Sequence, residues 1–401
     1  MAGLTREARA AEERLPARIA IGVLARAFPH ELLDDVIGAT DTREVRSRLL
    51  PARLVLLFVL ACWLFMRSGY GRVLSKMVDA RVVQGSGVGG WAPPTTAAIG
   101  NARARLGVAP VRLLFDRVKG VQGALSTPGV FWRDQRVVTM DGFTADVPDT
   151  DDNAAHFGRG VDGSGTPNPY PQLRAVLLGE AGTRAVVDAV YGPFRTGEQT
   201  LAEDLVASLR KGMLCLADRD FTAWALWRRA FATGAHLLWR VSASFKPSAL
   251  EVLGDGSYIA ELHPPRKKDG APIRVRVIEY TGWTQRDDGT EMSELFCLVT
   301  TLLDPTTAPM AELAGLYHDR WQADTTIGEI RTLQRGGPEV VLRSKSPELV
   351  EQEFWAMLCV YQAIRDLLAQ AARAPGLAPT RISFKHAAGR PRLGTSRSPL
   401  N

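Results

Sequence analysis

Three carboxylates of the 401-residue chain stand where carboxylate chemistry could gather. Asp141 closes the apolar run VVTMDG and Asp218 closes LCLAD, so two buried strands would each deliver an aspartate at the tip. Strand tips are where functional side chains of α/β sheets collect, although a turn or cap role accounts for either residue taken alone. A third carboxylate must come from elsewhere, and a helix expected over 311–333 offers Asp324 and Glu329. At ~100° per residue, Tyr317, Arg320, Asp324 and Arg331 fall within an arc of about 60° of that helix. A tyrosine, two arginines and a carboxylate pack poorly in a core but suit phosphate and metal contacts. The plainer alternative is an exposed face with an i,i+4 pair between Arg320 and Asp324. Glu329 lies about 140° from Asp324 on the same wheel. It is expected to point elsewhere, so that its amide variant barely alters the site.

Two other patterns fail on inspection. Gly85-x-Gly87-x-x-Gly90 has the spacing of a dinucleotide fingerprint, but Trp91-Ala92-Pro93-Pro94 follows where a helix would have to begin. It reads as a linker. Asp149, Asp151 and Asn153 begin like a calcium loop, yet Ala154 stands where the turn needs glycine and Gly160 where a bidentate glutamate is needed.

The elements that must position the carboxylates follow from periodicity. ARIAIGVLARAF, PHELLDDVIG, TREVRSRLL and PARLVLLFVLACWLFMRS carry apolar residues at helical spacing, broken by Pro29, Gly38 and Pro51. After the linker at 84–94, TTAAIGNARARLG and APVRLLFDRVKG make two more helices with Thr95 or Thr96 as N-cap. Arginines along one flank suit a DNA-contacting module or any small bundle. From 131 onward RVVTMDG, TADVPD, LRAVLLGE, RAVVDAVYG and MLCLAD read as strands, with helices at GEQTLAEDLVASLRKG and FTAWALWRRAFATG. Residues 235–303 are strand-like throughout, and a last helix covers roughly 347–373. The middle is thus a mixed α/β domain with an all-β insertion before its final helices.

Composition narrows the class. With 46% hydrophobic and 23% charged residues the chain is ordinary globular protein, not disordered, collagen-like or a disulfide scaffold. Cys62, Cys215, Cys297 and Cys359 lie far apart, which argues against a zinc or disulfide framework and suits a reducing cytoplasm. The apolar run from Leu54 to Met66 has 13 residues, short of the ~18 a membrane span needs, and the charged start MAGLTREARAAEERLP is unlike a signal peptide. No membrane partner is expected. The net charge of +6 hides an asymmetry: residues 1–120 carry 18 basic against 10 acidic residues, residues 381–401 five basic and none acidic, and 121–380 a net of −7. Basic ends around an acidic centre suggest a polyanion at the periphery and carboxylate chemistry in the middle.

Tyr317-x2-Arg320-x3-Asp324-x6-Arg331 resembles the Tyr-x2-Arg-x3-Glu-x6-Lys signature of bacterial cut-and-paste DDE transposases of the insertion-element-four family. DGFTADVPDTDDNAAHFGR (141–159) is similar to that family's first-aspartate segment and CLADRDFTAWALW (215–227) to its second. ARIAIGVLARAFPHELLDDVI and the helices after it resemble the family's N-terminal domain, and the likeness runs over roughly residues 15–385 in the expected order.

The resemblance implies an all-helical N-terminal DNA-binding domain over 1–120. An RNase H-like catalytic core would follow over 121–380, interrupted by the β-rich insertion at about 235–303, with a basic tail at 381–401. It implies Asp141, Asp218 and Asp324 as ligands of Mg²⁺ or Mn²⁺, with Asp141 bridging two ions. Tyr317, Arg320 and Arg331 would contact the phosphates of the transposon end. Partners would be double-stranded DNA, both the inverted repeats of the element and a target, and a second copy of the chain in a synaptic dimer. The place of action would be the cytoplasm, at the nucleoid. Trp283 or Trp239 could stack on an extruded base, core packing being the plainer role. Four departures stand out: Asp324 for glutamate, Arg331 for lysine, Asp220 for a common glycine, and a tail after about Phe384 unlike the family's last helix, as a frameshift or truncation would leave. They leave two alternatives, a catalytically weakened DNA-binding descendant and a metal-dependent nuclease that does not transpose.

Overall fold

The computed structural model describes residues 19–46, 48–80, 94–161, 163–242, 245, 247–285, 291–318, 326–330, 341–373 and 376–384, and of 283–285 and 291–292 the backbone alone. Its strands are β1 (Phe131–Trp132), β2 (Gln135–Asp146), β3 (Gln172–Glu180), β4 (Val186–Pro193), β5 (Met213–Ala217), β6 (His236–Val241), β7 (Glu251–Val252), β8 (Tyr258–Leu262), β9 (Ile273–Gln285) and β10 (Glu291–Thr300). They form one sheet in the order β4-β3-β2-β5-β6-β10-β9-β8-β7, with β1 paired to β2. β2, β5 and β6 run parallel, whereas the β2–β3–β4 meander and the outer strands pair antiparallel. All five residues of β5 are buried, as a parallel strand covered on both faces requires. The strand-rich stretch from 236 to 300 is therefore not a separate layer: β6 joins β5, and the later strands lengthen the same sheet.

The helices are α1 (His30–Ala39), α2 (Ala52–Leu64), α3 (Tyr70–Asp79), α4 (Thr96–Leu106), α5 (Ala109–Val118), α6 (Asp151–Phe157), α7 (Glu198–Leu205), α8 (Trp224–Ala232), α9 (Met310–His318) and α10 (Pro347–Arg373), with helical turns also at 19–27 and 326–330. On one side of the sheet α7 and α8 bury Leu201, Leu205, Leu226 and Trp227 against Val138, Met140, Cys215 and Trp239. On the other, α9 lays Leu313 and Tyr317 on Val137, Leu214 and Leu216. α10 covers the β2–β4 end of that same side through Phe354, Trp355 and Leu358.

The apolar run of the N-terminal region is the buried helix it was expected to be. Val55 to Trp63 of α2 are all buried, and the Trp63 indole Nε1 donates to the Glu353 carbonyl of α10 at 2.9 Å. No described helix is long and apolar enough to cross a membrane. The N-terminal helices share one continuous apolar cluster with α10 and β2–β4, from Ile21 to Phe384, so their core is not their own.

Two expectations change, and a third lies partly outside the described residues. TREVRSRLL, periodic enough for a helix, has none among its described residues, and the Glu44 carboxylate instead accepts from the Ala52 N–H at the start of α2. A cap from the preceding loop satisfies one of the orphan donors that Pro51 cannot. VVTMDG and TADVPD are one twelve-residue strand rather than two, because Gly142 continues the β3 pairing opposite Val176 instead of turning. Asp141 therefore lies within β2 and not at its tip. Helix is present at 310–318 and 326–330 of the expected 311–333 span, and residues between them lie outside the described set.

Candidate functional site

Register brings the first two aspartates together. The last parallel pair of β2 and β5 is Met140 with Ala217, so Asp141 and Asp218 are the next residues on adjacent strands, whose backbones lie ~4.8 Å apart. β5 stops there while β2 continues, opening a notch in the sheet at the carboxyl end of β5. Along β2 the side chains alternate, so Asp141 shares its face with Val137, which packs in the cluster holding Leu216 and Tyr317 of the α9 side. Both carboxylates are half-buried and held by backbone: Asp141 Oδ1 accepts from the Gly142 N–H at 2.8 Å, and Asp218 Oδ1 caps the turn Arg219–Phe221 through the Asp220 N–H at 2.7 Å.

Tyr317 is brought to the same place, but not as a surface group. Its side chain is buried and its hydroxyl donates to the Ala217 carbonyl, 3.4 Å away and one residue before Asp218. Asp324, Arg320 and Arg331 lie outside the described residues. Of the two tryptophans considered for base stacking, Trp239 is fully buried 4.8 Å from the Trp227 ring and serves the core, while the Trp283 side chain lies outside the described set. An open cleft of about 440 Å³ between α8 and the outer strands is lined instead by Trp224, Phe245, Leu250 and His263. The arginine flank of the N-terminal helices also divides. Arg103 is buried and donates to Gln352, Ser344 and Tyr70, whereas Arg43, Arg46 and Arg48 are exposed.

Two carboxylates have roles that sequence spacing did not reveal. Glu198, first residue of α7, lays its carboxylate on Gly142: a Cβ there would come within 2.5 Å of it. Arg174 Nε is 3.8 Å from Glu198 Oε1. Burial pushes the Glu198 pKa up; the Arg174 charge opposes this, and the charges of Asp220 and Asp218 add to it. The one signal in the sequence was the glycine directly after Asp141. Glu329 was expected to point away from Asp324, which lies outside the described residues; its own partners are Arg184, Tyr361 and Arg365. It is buried, with Arg184 Nη1 at 2.7 Å from Oε1, the Tyr361 hydroxyl at 3.1 Å from Oε2, and Arg365 paired to the same oxygen. Burial lowers the Arg365 pKa to about 9, the like charge of Arg184 acting in the same direction. One carboxylate thus balances two buried guanidinium groups.

Two side chains of the rejected calcium pattern, Asp149 and Asn153, have structural partners. Thr150 caps α6, Asp149 pairs with Arg159, and the buried Asn153 amide donates to the carbonyls of Pro148 and Ser344.

Two hard-oxygen donors held side by side at a sheet notch, under a helix bearing Tyr317, match what comparison with known proteins returns. Residues 18–116 match the model described as insertion element 4 transposase N-terminal, and residues 132–363 match the transposase DDE domain. The chain belongs to the insertion-element-four family of DDE transposases. It is 27% identical over 369 residues to the transposase InsG for insertion sequence element IS4 of Escherichia coli K12, covering 90% of this chain and 79% of that protein. It is 24% identical over 235 residues to the InsZ protein of the same strain, covering 59% of this chain and 75% of InsZ. As a chemical donor set, Asp141 and Asp218 fit a small divalent cation, which prefers carboxylate oxygens and keeps several waters. Among the described residues no three His, Cys, Asp or Glu side chains are close enough to hold a metal by themselves.

Proposed function

We propose that this transposase excises its own insertion element and joins it to target DNA by metal-dependent phosphodiester hydrolysis and strand transfer. The observation that carries the reading is the register that sets Asp141 beside Asp218 at the end of β5, within a DDE domain. Asp141 and Asp218 hold Mg²⁺, or Mn²⁺, together with Asp324, the signature carboxylate. The bound ions supply charge neutralisation at the attacking and leaving oxygens of the phosphodiester. Arg320 and Arg331 clamp phosphates of the transposon end, as guanidinium forks do. The Tyr317 hydroxyl, on the last carbonyl of β5, holds the Asp218 end of the strand and reaches the DNA only by that hydroxyl.

An antiparallel meander followed by two parallel strands supports an RNase H-like core over 121–380, with β7–β10 as its insertion and residues 1–120 as the DNA-binding helices. The exposed Arg43, Arg46 and Arg48 are among that region's positive charges turned to solvent, where they would meet DNA phosphates. Two copies act together because an element has two ends, and the site of action is the cytoplasmic DNA.

The test is Mg²⁺-dependent cleavage of a duplex carrying the element's own inverted repeat. Asp141→Asn and Asp218→Asn should abolish cutting and leave end binding intact. Near-parental cutting by either variant overturns the site. Binding without cutting by the parent would favour a DNA-binding descendant weakened at Asp324, and cutting without preference for the ends would favour a general nuclease.

A further inference from the structure

The Asp141–Asp218 notch has a second side. Gly142 follows Asp141 on β2 and so presents its missing side chain to the face covered by α7 and α8, opposite the face of α9. Into that gap α7 brings Glu198, whose carboxyl carbon and Oε2 would each lie 2.5 Å from a Cβ on Gly142. Gln199 fixes the same helix end to the far strand: its Nε2 donates to the Asp220 carbonyl at 2.8 Å, two residues past Asp218. The first turn of α7 is therefore tied to both aspartate-bearing segments.

We propose that Glu198 is a fourth carboxylate of the metal centre, acting from the opposite face of the sheet through the gap at Gly142. This rests on the metal-dependent reading above. An acidic residue in a first helical turn gains from the helix dipole alone, but that gain needs no contact with Gly142 and is available with the side chain in solvent. Arg174 offsets only part of this: it forms an ion pair whose Nε is 3.8 Å from Oε1, longer than a hydrogen bond, and its Nη1 is engaged by the Thr196 carbonyl at 3.3 Å. A half-buried carboxylate among other carboxylates is costly until a cation shares it. The upward pull on its pKa from burial, Asp220 and Asp218 points the same way. Glu198 therefore acts on the water shell of the bound ion, as outer ligands that orient inner ones do. It completes the charge of a site whose third carboxylate is one methylene short.

The experiment titrates Mn²⁺ into the full-length protein and follows free Mn²⁺ by electron paramagnetic resonance, with thermal unfolding as the check on folding. Asp141→Asn should abolish tight Mn²⁺ binding. Glu198→Gln should weaken it about tenfold, at the lower end of the loss typical of outer-shell ligands. Gly142→Ala should weaken it by a similar factor, because its methyl displaces the flexible Glu198 carboxylate. The double variant should bind no more weakly than Glu198→Gln, since both changes remove one interaction. Parental affinity in Glu198→Gln, with binding lost in Asp141→Asn, overturns the fourth carboxylate and leaves the two-aspartate site standing. If Asp141→Asn binds Mn²⁺ as the parent does, or the parent binds none, both readings fall. Should Glu198→Gln not fold, Gly142→Ala decides alone, parental affinity overturning the proposal.

Discussion

Replacing Glu329 by glutamine tests the buried ion cluster most directly, because it removes charge and almost nothing else. In the parent one carboxylate faces Arg184 at 2.7 Å, the Tyr361 hydroxyl at 3.1 Å, and Arg365, whose side chain is fully buried. Glutamine can still accept from one guanidinium through its oxygen, but its amide then turns N–H groups toward the other. Two cations would remain in a low-dielectric pocket with no counter-ion. Breaking a buried pair from one side costs ~3–5 kcal/mol. Glu329 and Arg184 keep slight access to solvent, with side chains 11% and 10% exposed, so the lower end, about 3 kcal/mol, is expected. The assay is urea unfolding of the full chain, read as a fall in midpoint at constant slope. Arg365→Gln and the double variant complete a cycle, in which the coupling should be about 2 kcal/mol or more. A single-variant loss below about 0.5 kcal/mol, the size of an ordinary surface change, would refute the counter-ion role.

Asp324→Glu should raise Mg²⁺-dependent cleavage, by up to about 10²-fold if the shorter side chain misplaces the carboxylate by ~1 Å; unchanged cutting in a matched inverted-repeat assay would count against Asp324 as the third ligand. DNA binding by the full chain should weaken steeply with salt, and changing Arg46 and Arg48 together to glutamine should reduce the slope of log K against log salt by about 2. An unchanged slope would remove those arginines from the DNA face. In the outer strands, burial raises the Asp255 pKa but hydrogen bonds from Ser257, the Arg276 charge and the Met310 N–H lower it more, leaving it below the ordinary value. Its stabilisation is thus complete above the unfolded pKa and lost as pH falls through the lower folded one. Asp255→Asn should accordingly be destabilising at pH 7 and progressively less so below about pH 4, and a urea-midpoint difference equal at pH 7 and pH 3 would refute the assignment.

What sequence could tell was set by how local the cause was. The strands MLCLA and LRAVLLGE and the helix at 347–373 declare themselves because burial of their apolar faces overrides weaker preferences. Asp218 could be placed at a strand end for the same reason. Asp141 could not, because Asp-Gly reads as a turn until β3 is known to pair on both sides of it. TREVRSRLL carried helical spacing but depends on Glu44 reaching the next helix, a contact no periodicity encodes. Glu329 was legible only as an angle on a wheel; that Arg184 and Arg365 converge on it follows from segments far apart in sequence. Glu198 was invisible for a related reason, since its meaning comes from the absence of a side chain on a strand it does not belong to.

The helices that carry the basic surface and the strands that carry the aspartates are joined through α10, which has consequences for how DNA is presented. Trp63 and Arg103 of the N-terminal helices bond Glu353 and Gln352 on one turn of α10. The Glu353 carboxylate accepts from the backbone N–H groups of Arg343 and Ser344, and the Ser344 carbonyl holds Asn153 at the end of the first-aspartate segment. Farther along, Tyr361 and Arg365 hold Glu329, five residues after the signature carboxylate. This helix therefore links the N-terminal helices to the β2–β4 end of the sheet, where Asp141 lies. Cutting the chain between α5 and β1 would strip Val111, Leu114 and Phe115 from Trp355 and its neighbours and expose an apolar face on each part. Such a face is an association hazard, so the helices taken alone would lose part of the core they share with α10. If those helices hold the transposon end as proposed, its orientation is built into the core itself, which removes the freedom a linker would give and with it the entropy that positioning a phosphodiester would otherwise cost.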